Sequence, residues 1–220
     1  MSLNFLPSLP QLITYIIILL TAFPIHEFAH AWTADRFGDN TPRANGRLTL
    51  NPLAHLDPIG TLLMIIVGFG WAKPVPINPY VLQRRSRAAP MLVSLAGPMS
   101  NLLMAIIASA FFRLGLVSTT DIRIVSGEIL PTVALFLYLF ISVNLWLMLF
   151  NLIPIFPLDG EKVLDYFLPP AGVRFLENIR PYGPMILMAI LFVLPLVGID
   201  VLGKVIQPVF RFLAGLLIGA

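Results

Sequence analysis

Two histidines and a glutamate form the pattern HEFAH at residues 26–30, within an apolar stretch of the chain. On a helix of about 3.6 residues per turn, side chains four residues apart share a face, so the imidazoles of His26 and His30 can bind one ion. Glu27 between them can reach a water held by such an ion and act as a general base. The pattern therefore predicts metal-assisted hydrolysis with one catalytic zinc ion.

A catalytic zinc ion takes three protein ligands and leaves one position open, so a third ligand must come from elsewhere. The chain has no cysteine, which leaves histidine and carboxylate as the strong ligands. We select Asp159 because Pro154 and Pro157 must unwind the apolar helix before it, and broken backbone at membrane depth is tolerated where it lines a cavity. Gly160 is expected to let the chain turn sharply there.

Two other residues stay open as rival ligands. His55 and Asp57 lie in the polar, proline-bounded sequence NPLAHLDP. Aspartate before proline is ordinary turn chemistry, and a histidine in a loop need not bind anything, so the structural interpretation of both is the simpler one. Asp35 lies near the end of the first apolar helix, and we interpret it as structural as well.

Three asparagines lie inside apolar segments, where amides join membrane helices by hydrogen bonds. For Asn101 and Asn144 we expect helix packing, with Asn101 near the site. For Asn151 we expect a contact to the oxyanion or to the substrate backbone. HEFAH can itself arise by chance in a buried helix, but ionisable groups at membrane depth cost several kcal/mol unless they are paired or bound to metal.

The composition predicts an integral membrane protein. The chain has 220 residues, of which 58% are hydrophobic and 11% charged, and its mean hydropathy is +0.89. The net charge of +3 comes from dispersed basic residues, which suits loops at an anionic membrane face and gives no sign of nucleic-acid binding. We predict one membrane-embedded domain over residues 1–220.

The predicted fold class is an all-α polytopic membrane protein with about four to six transmembrane helices. A segment at 59–71 is too short for an ordinary span and is expected to re-enter the membrane, a thin complete span being the alternative. Val201 and the residues after it form either an interfacial helix or a last short span. The remaining spans are expected at residues 12–32, 90–112, 129–156 and 182–199.

Basic residues predict the orientation. Arg36, Arg43 and Arg47 follow the first helix and no basic residue precedes it, so the N-terminus should lie outside, the first helix should be retained and the HEFAH end should face the cytoplasm. We therefore expect a multi-pass protein of the plasma membrane. Water is expected to reach the site past a polar set of residues, namely Asp35, Asp39, Asn40, Asn45 and Asn51.

Three elements together resemble the site-2 protease family of intramembrane zinc metalloproteases. They are HEFAH, then Gly97-Pro98-x-x-Asn101, then Asn151-x-x-Pro154-x-x-Pro157-Leu158-Asp159-Gly160. The resemblance covers residues 23–160 and is closest to the minimal prokaryotic branch, which lacks PDZ and CBS domains.

The resemblance implies zinc held by His26, His30 and Asp159, with Glu27 as general base. It also implies a three-helix catalytic core over about residues 11–160, with C-terminal helices over about 181–220, and a region at 47–79 that engages substrate. The implied reaction is cleavage of a transmembrane segment of a membrane-anchored protein near the cytoplasmic side.

Two other functional classes stay open at this stage. A metal or proton transporter also places histidine and carboxylate in the membrane, although we find no internal repeat. A non-catalytic membrane scaffold is the second class. The expected partners are a transmembrane protein substrate and the bilayer, and a homo-oligomer or a regulatory membrane partner stays open.

Overall fold

The computed structural model describes residues 8–57, 60, 73–124 and 129–219, and most of these residues are helical. In chain order the helices are α1 (Leu9–Arg36), α2 (Thr41–Ala44), α3 (Pro52–His55), α4 (Pro79–Arg85), α5 (Ala89–Arg113), α6 (Val133–Asn151), α7 (Asp159–Phe167), α8 (Pro170–Leu196) and α9 (Val201–Ile218). A 3₁₀ turn at Thr119–Asp121 lies between α5 and α6.

Five helices of the described part are long and apolar enough to cross a membrane, and they are α1, α5, α6, α8 and α9. Large apolar side chains such as Ile16, Leu103 and Ile107 are exposed on these helices, as expected of surfaces that face lipid. The protein is therefore an all-α, multi-pass membrane protein, and the predicted range of helix number is confirmed. The segment expected to re-enter at 59–71 lies outside the described residues, apart from Gly60.

The fourth span differs from its predicted bounds. It was expected over residues 182–199, but the helical run begins at Pro170 and ends at Leu196. Arg174 and Arg180 lie within this run, because charged residues do not interrupt a helix when they are good helix formers. The run continues through a 3₁₀ turn at Arg180–Tyr182 and a π-helical turn at Ala189–Val193.

Helix α5 is central to the fold because it packs against α1, α6, α7 and α9. Its buried alanines Ala105 and Ala108 belong to one core cluster with Ile141 and Leu145 of α6. Small residues let membrane helices approach closely, which is how such helices gain packing energy in a solvent as apolar as their own side chains. This packing brings the polar residues of α5 against those of α1 and α6.

Helix α6 ends at Asn151, and a series of tight turns leads from it to α7. Pro154 and Pro157 lie in these turns, where their missing N–H groups prevent a helix from continuing. The Phe156–Pro157 peptide bond is cis. The helix thus unwinds where the prolines predict, and Asp159 becomes the first residue of α7.

Candidate metal centre

Three side chains from two distant parts of the chain converge at one point. Nε2 of His26 lies 3.0 Å from Nε2 of His30, and Oδ2 of Asp159 lies 3.3 Å from each of these nitrogens. The two histidines, on α1, are only 6% and 8% exposed. Within the described part of the chain, these residues form the one group of His, Cys, Asp or Glu arranged to hold a metal ion.

The tautomer of His30 follows from its backbone partner. Nδ1 of His30 lies 2.7 Å from the carbonyl oxygen of Val93 on α5. A carbonyl can only accept, so Nδ1 must carry the hydrogen and donate it. Nε2 of the neutral ring then presents a lone pair toward Asp159.

The tautomer of His26 is set by a chain of amides that ends on a backbone carbonyl. Nδ2 of Asn144 donates to the carbonyl of Phe140 at 2.9 Å, so Oδ1 of Asn144 accepts from Nδ2 of Asn101, also at 2.9 Å. Oδ1 of Asn101 is then left to accept from Nδ1 of His26 at 2.6 Å. Nε2 of His26 therefore also presents a lone pair.

This donor set fits a zinc ion. Oδ2 of Asp159 is buried and has no hydrogen-bond partner among the described residues, although two ring nitrogens face it. Three electron-rich atoms with no proton between them repel one another unless a cation lies among them. Ligands bound at about 2.0–2.1 Å to one tetrahedral zinc lie about 3.3–3.4 Å apart, close to the observed separations.

Gly97 of α5 makes room for this arrangement. A Cβ built at residue 97 would lie 2.3 Å from Nε2 of His30 and 2.6 Å from Nε2 of His26. Any other residue would place its side chain on the two nitrogens, so glycine is required by close approach. Pro98 follows inside the same helix, where it removes a backbone hydrogen bond.

Gly160 has a different role from the one expected. It was predicted to allow a sharp turn, but it lies inside α7 and does not have a positive φ. A Cβ there would lie 2.2 Å from the carbonyl oxygen of Leu152. Glycine is required because the first turn of α7 packs directly on the backbone that follows α6, and this contact holds Asp159 against the histidines.

Glu27 and Asn151 are the two other predicted site residues. Glu27 follows His26 directly on α1 and is half-buried. Asn151 is the last residue of α6, and its Nδ2 donates to the carbonyl of Leu147 at 2.9 Å, which leaves its second amide hydrogen for another acceptor. Their catalytic roles stay predictions.

The rival ligands contact other parts of the chain. Asp57 accepts from the backbone N–H of Gly60 at 2.8 Å, which is turn chemistry. His55 is buried, and its Nε2 contacts the carbonyl oxygen of Thr49 at 2.8 Å. Neither belongs to the group that could hold a metal.

The expected polar approach for water needs correction at Asp39. This carboxylate is 1% exposed and accepts from the backbone N–H groups of Thr41 and Asn78, so it ties two loops together. Asp35 forms a two-point ion pair with Arg43, in agreement with the structural role expected for it.

Sequence reasoning missed the orienting role of the α5 and α6 residues. Asn101 was expected to pack near the site, but it bonds directly to His26, and Asn144 in turn holds Asn101. The sequence feature that marked Asn101 and Asn144 was an amide within an apolar segment, and this feature does not indicate which residue the amide bonds to. The role of the Val93 carbonyl carries no sequence signal, because every residue has that group.

The chain is similar in sequence to bacterial proteins that are named as zinc metalloproteases. The chain is 42% identical over 187 residues to "Putative zinc metalloprotease YwhC" of Bacillus subtilis, covering 84% of this chain and 83% of that protein. It is 32% identical over 178 residues to "Putative zinc metalloprotease Rip2" of Mycolicibacterium smegmatis, covering 78% of this chain and 64% of that protein. The protein of the same name from Mycobacterium tuberculosis is also 32% identical, over 182 residues, with 80% and 65% covered. No protein-family profile matches the chain, and no solved structure is significantly similar to it.

Proposed function

The chain belongs to the site-2 protease family and is a zinc metalloprotease, and from that premise we propose that it cleaves membrane-spanning segments of membrane-anchored proteins near the cytoplasmic side. The observation that carries the proposal is the convergence of two imidazole lone pairs and one carboxylate within the helices of a membrane protein. A protease whose centre lies among membrane helices has membrane segments as its nearest substrates.

His26, His30 and Asp159 hold the zinc ion in this proposal. When bound, zinc supplies a Lewis acid that lowers the pKa of a coordinated water from about 15.7 toward about 7 and polarises a carbonyl group. The hydrogen bonds from the histidine Nδ1 atoms to Asn101 and Val93 would keep both Nε2 lone pairs free to bind such an ion.

Glu27 is the general base. Its carboxylate accepts a proton from the attacking water as the new C–O bond forms, and it then delivers that proton to the nitrogen of the departing amine as the C–N bond breaks. The second amide hydrogen of Asn151 donates to the substrate backbone or to the developing oxyanion.

The substrate must present an extended peptide, because helical peptide groups are shielded by their own hydrogen bonds. We therefore expect helix-breaking residues near the scissile bond. Arg36 is the last residue of α1, and Arg43 and Arg47 follow it. These basic residues support a cytoplasmic location for the end of α1 that carries HEFAH, and the plasma membrane is the proposed location.

The test compares wild type, Glu27→Gln and Asp159→Ala proteins purified in detergent. Zinc content and cleavage of a transmembrane test substrate are measured side by side. We expect stoichiometric zinc and cleavage in wild type, zinc without cleavage in Glu27→Gln, and loss of both in Asp159→Ala. Glu177→Gln makes the same chemical change at an exposed position on α8 and serves as the control.

Three results would contradict the proposal. Cleavage by Glu27→Gln would remove Glu27 as the base, and zinc retained by Asp159→Ala would remove Asp159 from the ligand set. A wild-type protein that binds zinc but cleaves neither helical nor helix-broken membrane segments would refute the substrate class.

A further inference from the structure

Glu161 is an acidic residue that the proposed reaction does not use, although it lies two residues after Asp159. It is in the first turn of α7, and it is only 3% exposed. A carboxylate this deeply buried is costly unless it is paired and hydrogen-bonded. Its partners therefore show what holds this end of α7.

Arg180 of α8 is the main partner of Glu161. Nε of Arg180 donates to Oε1 of Glu161 at 2.9 Å, and Nη2 of the same guanidinium contacts that oxygen as well. Lys162 is more distant, with Nζ at 3.9 Å from Oε2. The planar guanidinium of arginine fixes direction as well as charge, which the point charge of lysine does not.

A second contact from the same part of α8 reaches the chain before Asp159. A Cβ built at Gly183 would lie 2.3 Å from the carbonyl oxygen of Phe156, so the backbone of α8 packs directly on this turn. Phe156 precedes Asp159 by three residues, and Glu161 follows it by two. The segment from Arg180 to Gly183 therefore contacts the chain on both sides of Asp159.

We propose that Arg180 is a positioning residue for the metal centre: through Glu161 it fixes the first turn of α7 and with it the direction of the Asp159 carboxylate. The inference rests on the proposed role of Asp159 as a ligand. Asp159 opens α7, so a small rotation of this helix would move its Oδ2 away from the histidine nitrogens. Metal ligands tolerate displacements of only about 0.5 Å before binding suffers.

This role extends the functional unit past the catalytic core expected at residues 11–160. Helix α8 contributes no ligand in our proposal, yet its Arg180 and Gly183 support the segment that carries Asp159. Removal of α8 should therefore impair metal binding even though His26, His30 and Asp159 all remain.

The test measures zinc affinity by competition with a chelator, using wild type, Arg180→Gln, Glu161→Gln and the double variant. We expect zinc binding to weaken by about tenfold or more in each single variant, in the range found when residues supporting a metal ligand are lost. The double variant should bind zinc as tightly as Arg180→Gln does, because both changes break the same contact between Arg180 and Glu161. Arg174→Gln removes an exposed arginine from the same helix and should leave affinity unchanged.

If Arg180 and Glu161 stabilised only the fold, the folded variants would keep the metal geometry of wild type. Cobalt substituted for zinc reports ligand geometry through its visible absorption, so Arg180→Gln and Glu161→Gln should alter that spectrum at temperatures where the protein remains folded. Arg180→Lys should keep the positive charge but only part of the zinc affinity, because lysine lacks the planar guanidinium and its paired N–H donors. If Arg180→Gln does not fold, Glu161→Gln carries the test with the same expected result.

The inference is overturned if both single variants bind zinc within twofold of wild type and keep its cobalt spectrum. Asp159→Ala, measured in parallel, separates this failure from failure of the proposed function. Loss of zinc in Asp159→Ala with wild-type affinity in the Arg180 and Glu161 variants would refute the positioning role alone. Retention of zinc in Asp159→Ala would refute the ligand assignment and the inference with it.

Discussion

Asn101 and His26 are 75 residues apart in the chain, yet Oδ1 of Asn101 accepts a 2.6 Å hydrogen bond from Nδ1 of His26. This contact between α5 and α1 decides which ring nitrogen carries the hydrogen and which is free to bind metal. Helix α5 thus both packs against α1 and orients a histidine of the candidate metal centre.

Replacement of Asn101 by alanine should weaken zinc binding by about 10- to 100-fold, because the His26 ring loses the acceptor that fixes its tautomer and orientation. Proteolysis should fall by a similar factor at zinc concentrations that do not saturate the site. Chelator competition measures the affinity. Asn178→Ala, the same change at an exposed position, is the control. Unchanged affinity in Asn101→Ala would refute the orienting role.

Replacement of Asn144 by alanine should have a smaller effect in the same direction. Asn144 acts on His26 only through Asn101, whose amide becomes free to rotate when its partner is lost. The double variant Asn101→Ala, Asn144→Ala should therefore bind zinc as Asn101→Ala does, since both changes interrupt one chain of hydrogen bonds. Additive losses in this double-mutant cycle would mean that Asn144 acts by a separate route.

Gly97→Ala should abolish zinc binding without unfolding the protein. The added methyl group would lie 2.3 Å from Nε2 of His30, at the position from which that atom binds metal. Alanine favours a helix over glycine by about 1 kcal/mol, so helix α5 itself should not be weakened.

Circular dichroism and zinc content together check the Gly97 prediction. Gly172→Ala is the matched control, because the three atoms nearest a Cβ at residue 172 belong to the Leu168 side chain, at 3.1 Å or more. Stoichiometric zinc in Gly97→Ala would show that the histidines can move away from α5.

Removal of zinc should lower the thermal stability of wild type. In the proposed site the ion would stabilise three groups that otherwise repel one another, and a ligand present at about 100 times its Kd adds about 2.7 kcal/mol to the free energy of unfolding. Melting curves with and without a chelator measure this difference. Asp159→Asn should show little dependence on zinc, and an equal zinc effect in that variant would argue that the ion binds elsewhere.

The sequence by itself determined the membrane class and predicted the chemistry of the candidate centre. Continuous apolar runs of about 20 residues predict membrane-spanning helices, and the helical repeat places His26 and His30 on one face wherever that helix lies. The prolines after α6 located the unwound segment that ends at Asp159. These are local properties, because the spacing along the chain sets them without reference to another helix.

Only the tertiary structure decided which distant residues complete the centre. A membrane helix is apolar both on the face toward lipid and on the face toward protein. Its sequence therefore does not show which face packs inward, whereas the sequence of an amphipathic helix does. The bond from His26 to Asn101, the approach of Gly97, the packing role of Gly160 and the pairing of Glu161 with Arg180 all depend on how the helices are set against one another. That arrangement is fixed by close packing of the whole bundle, and the spacing of residues along the chain does not predict it.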